Sequence, residues 1–120
     1  MKATIWHNPR CSNSRGALAL LQEAGAEVEV INYLDTPPSA TELHTLLAEM
    51  GMPARDLLRS KEAAYSELGL AAQLDDDLAL INAMAAHPAL INRPIVRTPK
   101  GTALCRPPEK VRALLPDYNG

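Results

Sequence analysis

The sequence predicts an α/β domain: a βαβ unit and a ββα unit sharing one mixed four-stranded sheet, with a helical region inserted between them. Three observations carry this. A β-type run, Ala3-Thr4-Ile5-Trp6, leads through a short polar turn into a run with helical periodicity. A second β-type run follows at the spacing of a right-handed βαβ crossover. Two further β-type runs, joined by Pro99-Lys100-Gly101, come only after a long helical stretch, and a last apolar helix closes the chain.

Each element has its own local reason. In the first helix Ala17, Leu20, Leu21 and Ala24 fall at the spacing of one helix face, and Gly25 suits the left-handed residue after the end. Glu27–Leu34, with Val28, Val30 and Asn32 alternating against Glu27, Glu29 and Ile31, reads as the second strand. Pro37-Pro38 breaks the chain, and Ser39-Ala40-Thr41-Glu42 has the spacing of a capping box. Leu43, Leu46, Leu47 and Met50 then share a helical face that Gly51 ends. Pro53 suits the first turn of a short helix through Arg55, Leu57 and Leu58, and Ser60–Leu68 reads as helical up to Gly69. Asp75 is placed to cap a helix through Leu78, Ile81 and Ala85, stopped at His87-Pro88. The run Asp75-Asp76-Asp77 is read as complementing that helix's dipole, not as a metal site. Ile91–Arg97 and Thr102–Cys105 form the late hairpin, and Pro107-Pro108 opens a final helix with Val111, Leu114 and Leu115 on one face. The expectation is one domain over residues 1–120, with the helical insertion spanning about 39–88.

Composition narrows the function. Residues are 47% hydrophobic, yet Phe is absent and aromatics make up 3%, so the core must be aliphatic. A formal net charge of −2 argues against generic binding to nucleic acid or to a membrane surface. No apolar run reaches the length of a membrane span and no signal-peptide pattern opens the chain, so a cytoplasmic protein is expected; a monomer is expected as well. The two cysteines, Cys11 and Cys105, do not make a disulfide framework, and His7, His44 and His87 are too scattered for a zinc site; no metal is expected.

Chemistry concentrates in Trp6-His7-Asn8-Pro9-Arg10-Cys11-Ser12-Asn13-Ser14-Arg15. Cys11 stands where a strand ends and a helix begins. There the unpaired N–H groups and the positive end of the dipole favour a thiolate, and favour an anion in front of it. His7, Arg10 and Arg15 act in the same direction. Cys11 is therefore the candidate nucleophile. His7 is the residue expected to tune it, as a nearby cation or a hydrogen-bond donor. Ser14 either donates to the thiolate or caps the helix; Arg15 faces either the anion or solvent.

The order βαβ then ββα, with a Cys at the first strand–helix turn, is similar to the thioredoxin-like fold. His7-Asn8-Pro9-Arg10-Cys11-Ser12-Asn13-Ser14-Arg15, Ala54-Arg55-Asp56-Leu57-Leu58-Arg59, Asn92-Arg93-Pro94-Ile95-Val96 and Leu104-Cys105-Arg106-Pro107-Pro108-Glu109 together resemble the glutathione- and glutaredoxin-coupled arsenate reductases. The resemblance covers nearly the whole chain. It implies reduction of arsenate to arsenite through a thiol–arsenate intermediate on Cys11. Glutathione would be the co-substrate, glutaredoxin the partner, and no cofactor would be bound. It assigns Arg59, Arg93 and Arg106 to the oxyanion, beside Ser14 and Arg15 as further candidates. Arginine's planar fork suits a tetrahedral anion of about two negative charges better than lysine does. It also implies a cis peptide bond before Pro94, facing the Cys. Because neighbouring strand residues point to opposite faces, an Arg106 at the site places Cys105 in the aliphatic core.

Two other classes compete. A thioredoxin-like regulatory or protein-binding relative would carry Cys-x-x-Cys at this turn, where the fourth position here is Ser14. A phosphatase-like loop needs Cys-x5-Arg, and Cys11 to Arg15 is too short for it.

Overall fold

The computed structural model describes residues 1–116. The chain divides into two compact units: Met1–Thr36 with the described residues from Arg93 onward, and Pro37–Asn92.

The first unit is built on a mixed four-stranded sheet of order β2-β1-β3-β4, with β1 Lys2–His7, β2 Glu27–Asn32, β3 Ile95–Thr98 and β4 Gly101–Leu104. β1 pairs parallel with β2, Ile5 opposite Val30, and antiparallel with β3, Ile5 opposite Val96. β3 and β4 form the antiparallel hairpin. Helix α1, Ser12–Glu23, crosses between β1 and β2. Its end is a Schellman motif: Gly25 at φ 76° donates to Gln22 O, and Ala26 donates to Leu21 O. The alternation along β1 puts Ala3, Ile5 and His7 on one face and Thr4 and Trp6 on the other. Ala3, Ile5 and Val96 pack with Ala17, Leu21, Val111, Leu114, Leu115 and Cys105 in one aliphatic cluster. Trp6, on the opposite face, lies under the Arg97 guanidinium, 5.2 Å from the ring centroid.

Several boundaries differ from those expected. The buried stripe of α1 is Ser14, Ala17 and Leu21, while Ala24 is exposed. β3 begins at Ile95, not Ile91, because Pro94 has no N–H to give the ladder; the Arg93–Pro94 bond is cis, as the resemblance implies. Ile91 pairs instead with Leu58 in an isolated bridge. The closing helix, Pro108–Leu114, is a 3-10 helix. With three residues per turn, Val111 and Leu114 still stack on one buried face. α1 approaches it so closely that a Cβ on Gly16 would lie 2.9 Å from Pro108 Cγ.

The second unit is helical. α2, Ala40–Met50, starts with the predicted capping box: Ser39 Oγ accepts from Glu42 N at 3.1 Å, and Glu42 Oε1 accepts from Ser39 N at 3.2 Å. Leu43, Leu46 and Leu47 face α4, Asp77–Ala86, which buries Leu80, Ile81 and Met84. Asp76, one residue later than expected, caps α4 by accepting from Ala79 N at 3.1 Å. Asp77 accepts from Ala54 N, and Asp75 is an exposed partner of Arg55. The helix expected over Ser60–Leu68 contracts to α3, Ala63–Glu67, which buries no residue and so has no packing to extend it. Among the described residues no helix is long and apolar enough to cross a membrane, and no cluster of His, Cys, Asp and Glu could hold a metal ion.

Candidate active site at the start of the first helix

Cys11 is the N-cap of α1, with extended dihedrals (φ −93°, ψ 123°) and no side-chain capping bond. Its sulfur is therefore left facing the free N–H groups of the first turn. The turn before it is closed by backbone and side chain together. Cys11 N donates to Asn8 O at 3.0 Å, and Arg10 N donates to Asn8 Oδ1 at 3.0 Å. From the helix side, Arg15 Nη1 donates to Pro9 O at 3.0 Å.

Cys11 is 9% exposed. Burial, the largest single influence, raises its pKa. The N–H of Ser14, the Arg93 side chain, the N–H of Asn13 and the Arg93 charge together outweigh it, and the net shift is below the ordinary thiol value. Arg106 Nη1 lies 3.7 Å from Cys11 Sγ and donates to Arg93 O at 2.9 Å. One arginine thus anchors the backbone of the other beside the sulfur. Cys105 is the opposite case. It is fully buried, its thiol faces Ala103 O, and burial pushes its pKa up to about 12.

Residues far apart in the chain therefore meet: His7, Cys11, Ser14, Arg15, Arg93, Pro94 and Arg106 all belong to the first unit. Arg59 belongs to the second. There its backbone is fixed by Arg59 N donating to Leu90 O at 2.8 Å, and its Nε pairs with Glu62 at 3.3 Å. Two expectations for individual side chains are corrected. Ser14 is 0% exposed; its hydroxyl lies 2.6 Å from His7 Nδ1 and accepts from Asn8 N, so it does not cap α1 and turns to His7 and not to the Cys11 sulfur. Its contribution to Cys11 is its backbone N–H. His7 is buried; desolvation, then the Arg15 charge, lowers its pKa, which works against a cation beside the thiolate. Arg15 is exposed, with its guanidinium on the Pro9 carbonyl. The residue that sequence reasoning missed is Asn8, buried and bonded three ways. Its signal was the Asn-Pro dipeptide, which favours such side-chain-closed turns.

Residues 6–114 match the ArsC family. The chain belongs to the ArsC family. An arsenate reductase of Escherichia coli K12 is 52% identical over 95% of this chain and 81% of its own. One from Neisseria meningitidis is 48% identical over 92% and 96%. The solved structure of an arsenate reductase from Vibrio cholerae superposes with a TM-score of 0.89 at 48% identity, covering 96% of this ArsC chain and 98% of that one. The thioredoxin-like ArsC fold predicted from the strand order is the fold observed.

Proposed function

We propose that this ArsC protein reduces arsenate to arsenite, with Cys11 as the nucleophile and glutathione and glutaredoxin as the source of electrons. The observation that carries the reading is the setting of Cys11. A thiol of lowered pKa sits under the N–H groups of Asn13 and Ser14, with Arg93 hydrogen-bonded to it and Arg106 beside it. This occurs in a chain about half identical to proteins named arsenate reductase. Such an arrangement stabilises a thiolate and receives an oxyanion at the same point.

In this reading the Cys11 thiolate attacks arsenic(V), and an arsenate oxygen leaves as water after taking protons, giving the thiol–arsenate ester. Glutathione adds to that adduct. Cys11 and glutathione together give up two electrons, arsenic(V) becomes arsenic(III), arsenite leaves, and Cys11 is left as a mixed disulfide with glutathione. A glutaredoxin thiolate takes the glutathione by disulfide exchange and restores Cys11. Arg93 and Arg106 hold the anion and its charge through the adduct. Pro94 shapes the wall opposite Cys11. No bound cofactor takes part, and the cycle suits the reducing cytoplasm.

The test is arsenate-dependent oxidation of NADPH by the purified chain in the presence of glutathione, glutaredoxin and glutathione reductase. Turnover that needs all three and is absent without arsenate is expected. A folded chain that oxidises no NADPH under these conditions would instead point to the regulatory class.

A further inference from the structure

We propose that Ser14 positions the Cys11 turn, by donating its hydroxyl proton to the Nδ1 of a neutral His7 that carries its own proton on Nε2. The inference rests on the reading of Cys11 as the nucleophile, and it goes beyond that reading in giving both residues a role through the turn, not on the substrate.

The argument is one of counting protons. The Ser14 hydroxyl is fully buried and has one proton to give. The Asn8 N–H is itself a donor to Oγ at 3.0 Å, so that contact cannot take the proton. His7 Nδ1, 2.6 Å away, can accept it only if it is itself unprotonated. The opposite direction, Nδ1–H donating to Oγ, gives the oxygen two donors and leaves a buried O–H with nowhere to point. The surroundings agree with a neutral ring: it is buried, and the Arg15 cation acts against a second positive charge there.

The placement follows from two periodicities. His7 lies on the face of β1 that carries Ala3 and Ile5 into the core beneath α1. Ser14 lies on the buried stripe of α1 with Ala17 and Leu21. The bond thus pins the end of the first strand to the first turn of the helix. Asn8 hangs from the same hydroxyl, and Asn8 in turn holds the N–H groups of Arg10 and Cys11. Ser14 acts on Cys11 from both sides: its side chain fixes the turn that presents the sulfur, and its backbone N–H meets that sulfur.

The experiment uses the full chain. In long-range proton–nitrogen spectra of histidine-labelled protein at neutral pH, His7 should show an unprotonated, hydrogen-bonded Nδ1 and a protonated Nε2. A protonated Nδ1 would overturn the proposal without any variant being made. The variants then separate neutral acceptor from cation. Ser14→Ala and His7→Leu should raise the pKa read from the pH dependence of Cys11 alkylation by about half a unit or more. They should lower kcat about tenfold while the KM for arsenate changes less than about threefold, since a positioning role acts on the chemical step. His7→Gln keeps an acceptor and should restore most of the loss; His7→Lys should not. Restoration by Lys and not by Gln would replace this proposal with a cation at His7. Because the spectra and the alkylation need no arsenate, they stand even if the reductase assay fails.

Discussion

Cys105 should react about a thousandfold more slowly than an ordinary thiol, by ionisation alone, and Cys11 faster than an ordinary one. The Cys11 pKa lies below the ordinary thiol value, held there by the N–H groups of the first helical turn and by Arg93 against the opposing effect of burial. The Cys105 pKa lies at about 12, so at pH 8 about one molecule in ten thousand is thiolate there. Alkylation follows the thiolate, and Cys105 is also fully buried. The assay is iodoacetamide labelling of the folded protein at pH 8, quenched over a time course and read by peptide mass spectrometry. Cys11 should be fully modified before Cys105 is detectably so, and the difference should vanish in denaturant. The same geometry predicts a monothiol reductase cycle. Cys105 sits in the aliphatic cluster while Arg106, the next residue, faces Cys11. Cys105→Ala should therefore retain turnover, cost about 1 kcal/mol for one small buried group, and leave activity strictly dependent on glutathione. Comparable labelling of both cysteines in the folded state would refute the reasoning, and so would a Cys11–Cys105 disulfide formed during turnover.

Cys11→Ser should abolish arsenate reduction with the fold unchanged by circular dichroism, because a hydroxyl without an activating base is a far poorer nucleophile. Arg93→Ala and Arg106→Ala should each weaken arsenate or sulfate binding about ten- to a hundredfold by calorimetry, the loss of a charge-assisted hydrogen bond of about 1.5–3 kcal/mol. Lys at either position should restore only part of this, and Arg112→Ala should have no such effect. Gly16→Val should lower stability in urea by about 1–3 kcal/mol, since even a Cβ there would sit 2.9 Å from Pro108. Stability should fall as pH rises above about 9. In that range the unfolded chain releases the Cys105 proton while the folded chain keeps it up to about 12, a loss of about 1.4 kcal/mol per pH unit that Cys105→Ala should remove.

What was legible in the sequence was what local pattern encodes. Ser39 and Glu42 read as a capping box because both partners lie within one turn of helix, and the structure makes both bonds. Gly25 and Gly51 end the helices they are expected to end, because the left-handed backbone that closes those termini carries a Cβ penalty that glycine alone escapes. The errors fall where a distant partner decides. Ile91 has the composition of a strand, and it does pair, but with Leu58. Val111 and Leu114 lie on one buried face as expected, on a helix of three residues per turn, while Leu115 is buried as the extended residue just past its end. Ser14 was read from its place near a helix start, where serine caps. Its place on the stripe with Ala17 and Leu21 decided its side chain's direction instead.

That last case shows how the reactivity of Cys11 depends on the core. Burial raises the pKa of the sulfur, and the N–H groups of Ser14 and Asn13 together with Arg93 bring it below the ordinary value. Yet Ser14 is held by the same helix stripe that buries Ala17 and Leu21, and His7 by the same strand face that buries Ile5. A helix N-terminus favours a thiolate only when the first-turn N–H groups point at the sulfur, and here that aim is fixed by packing further along both elements. Substitutions in the cluster that rotate α1 against β1 would therefore be felt at Cys11 as a change of pKa before they were felt as a loss of fold.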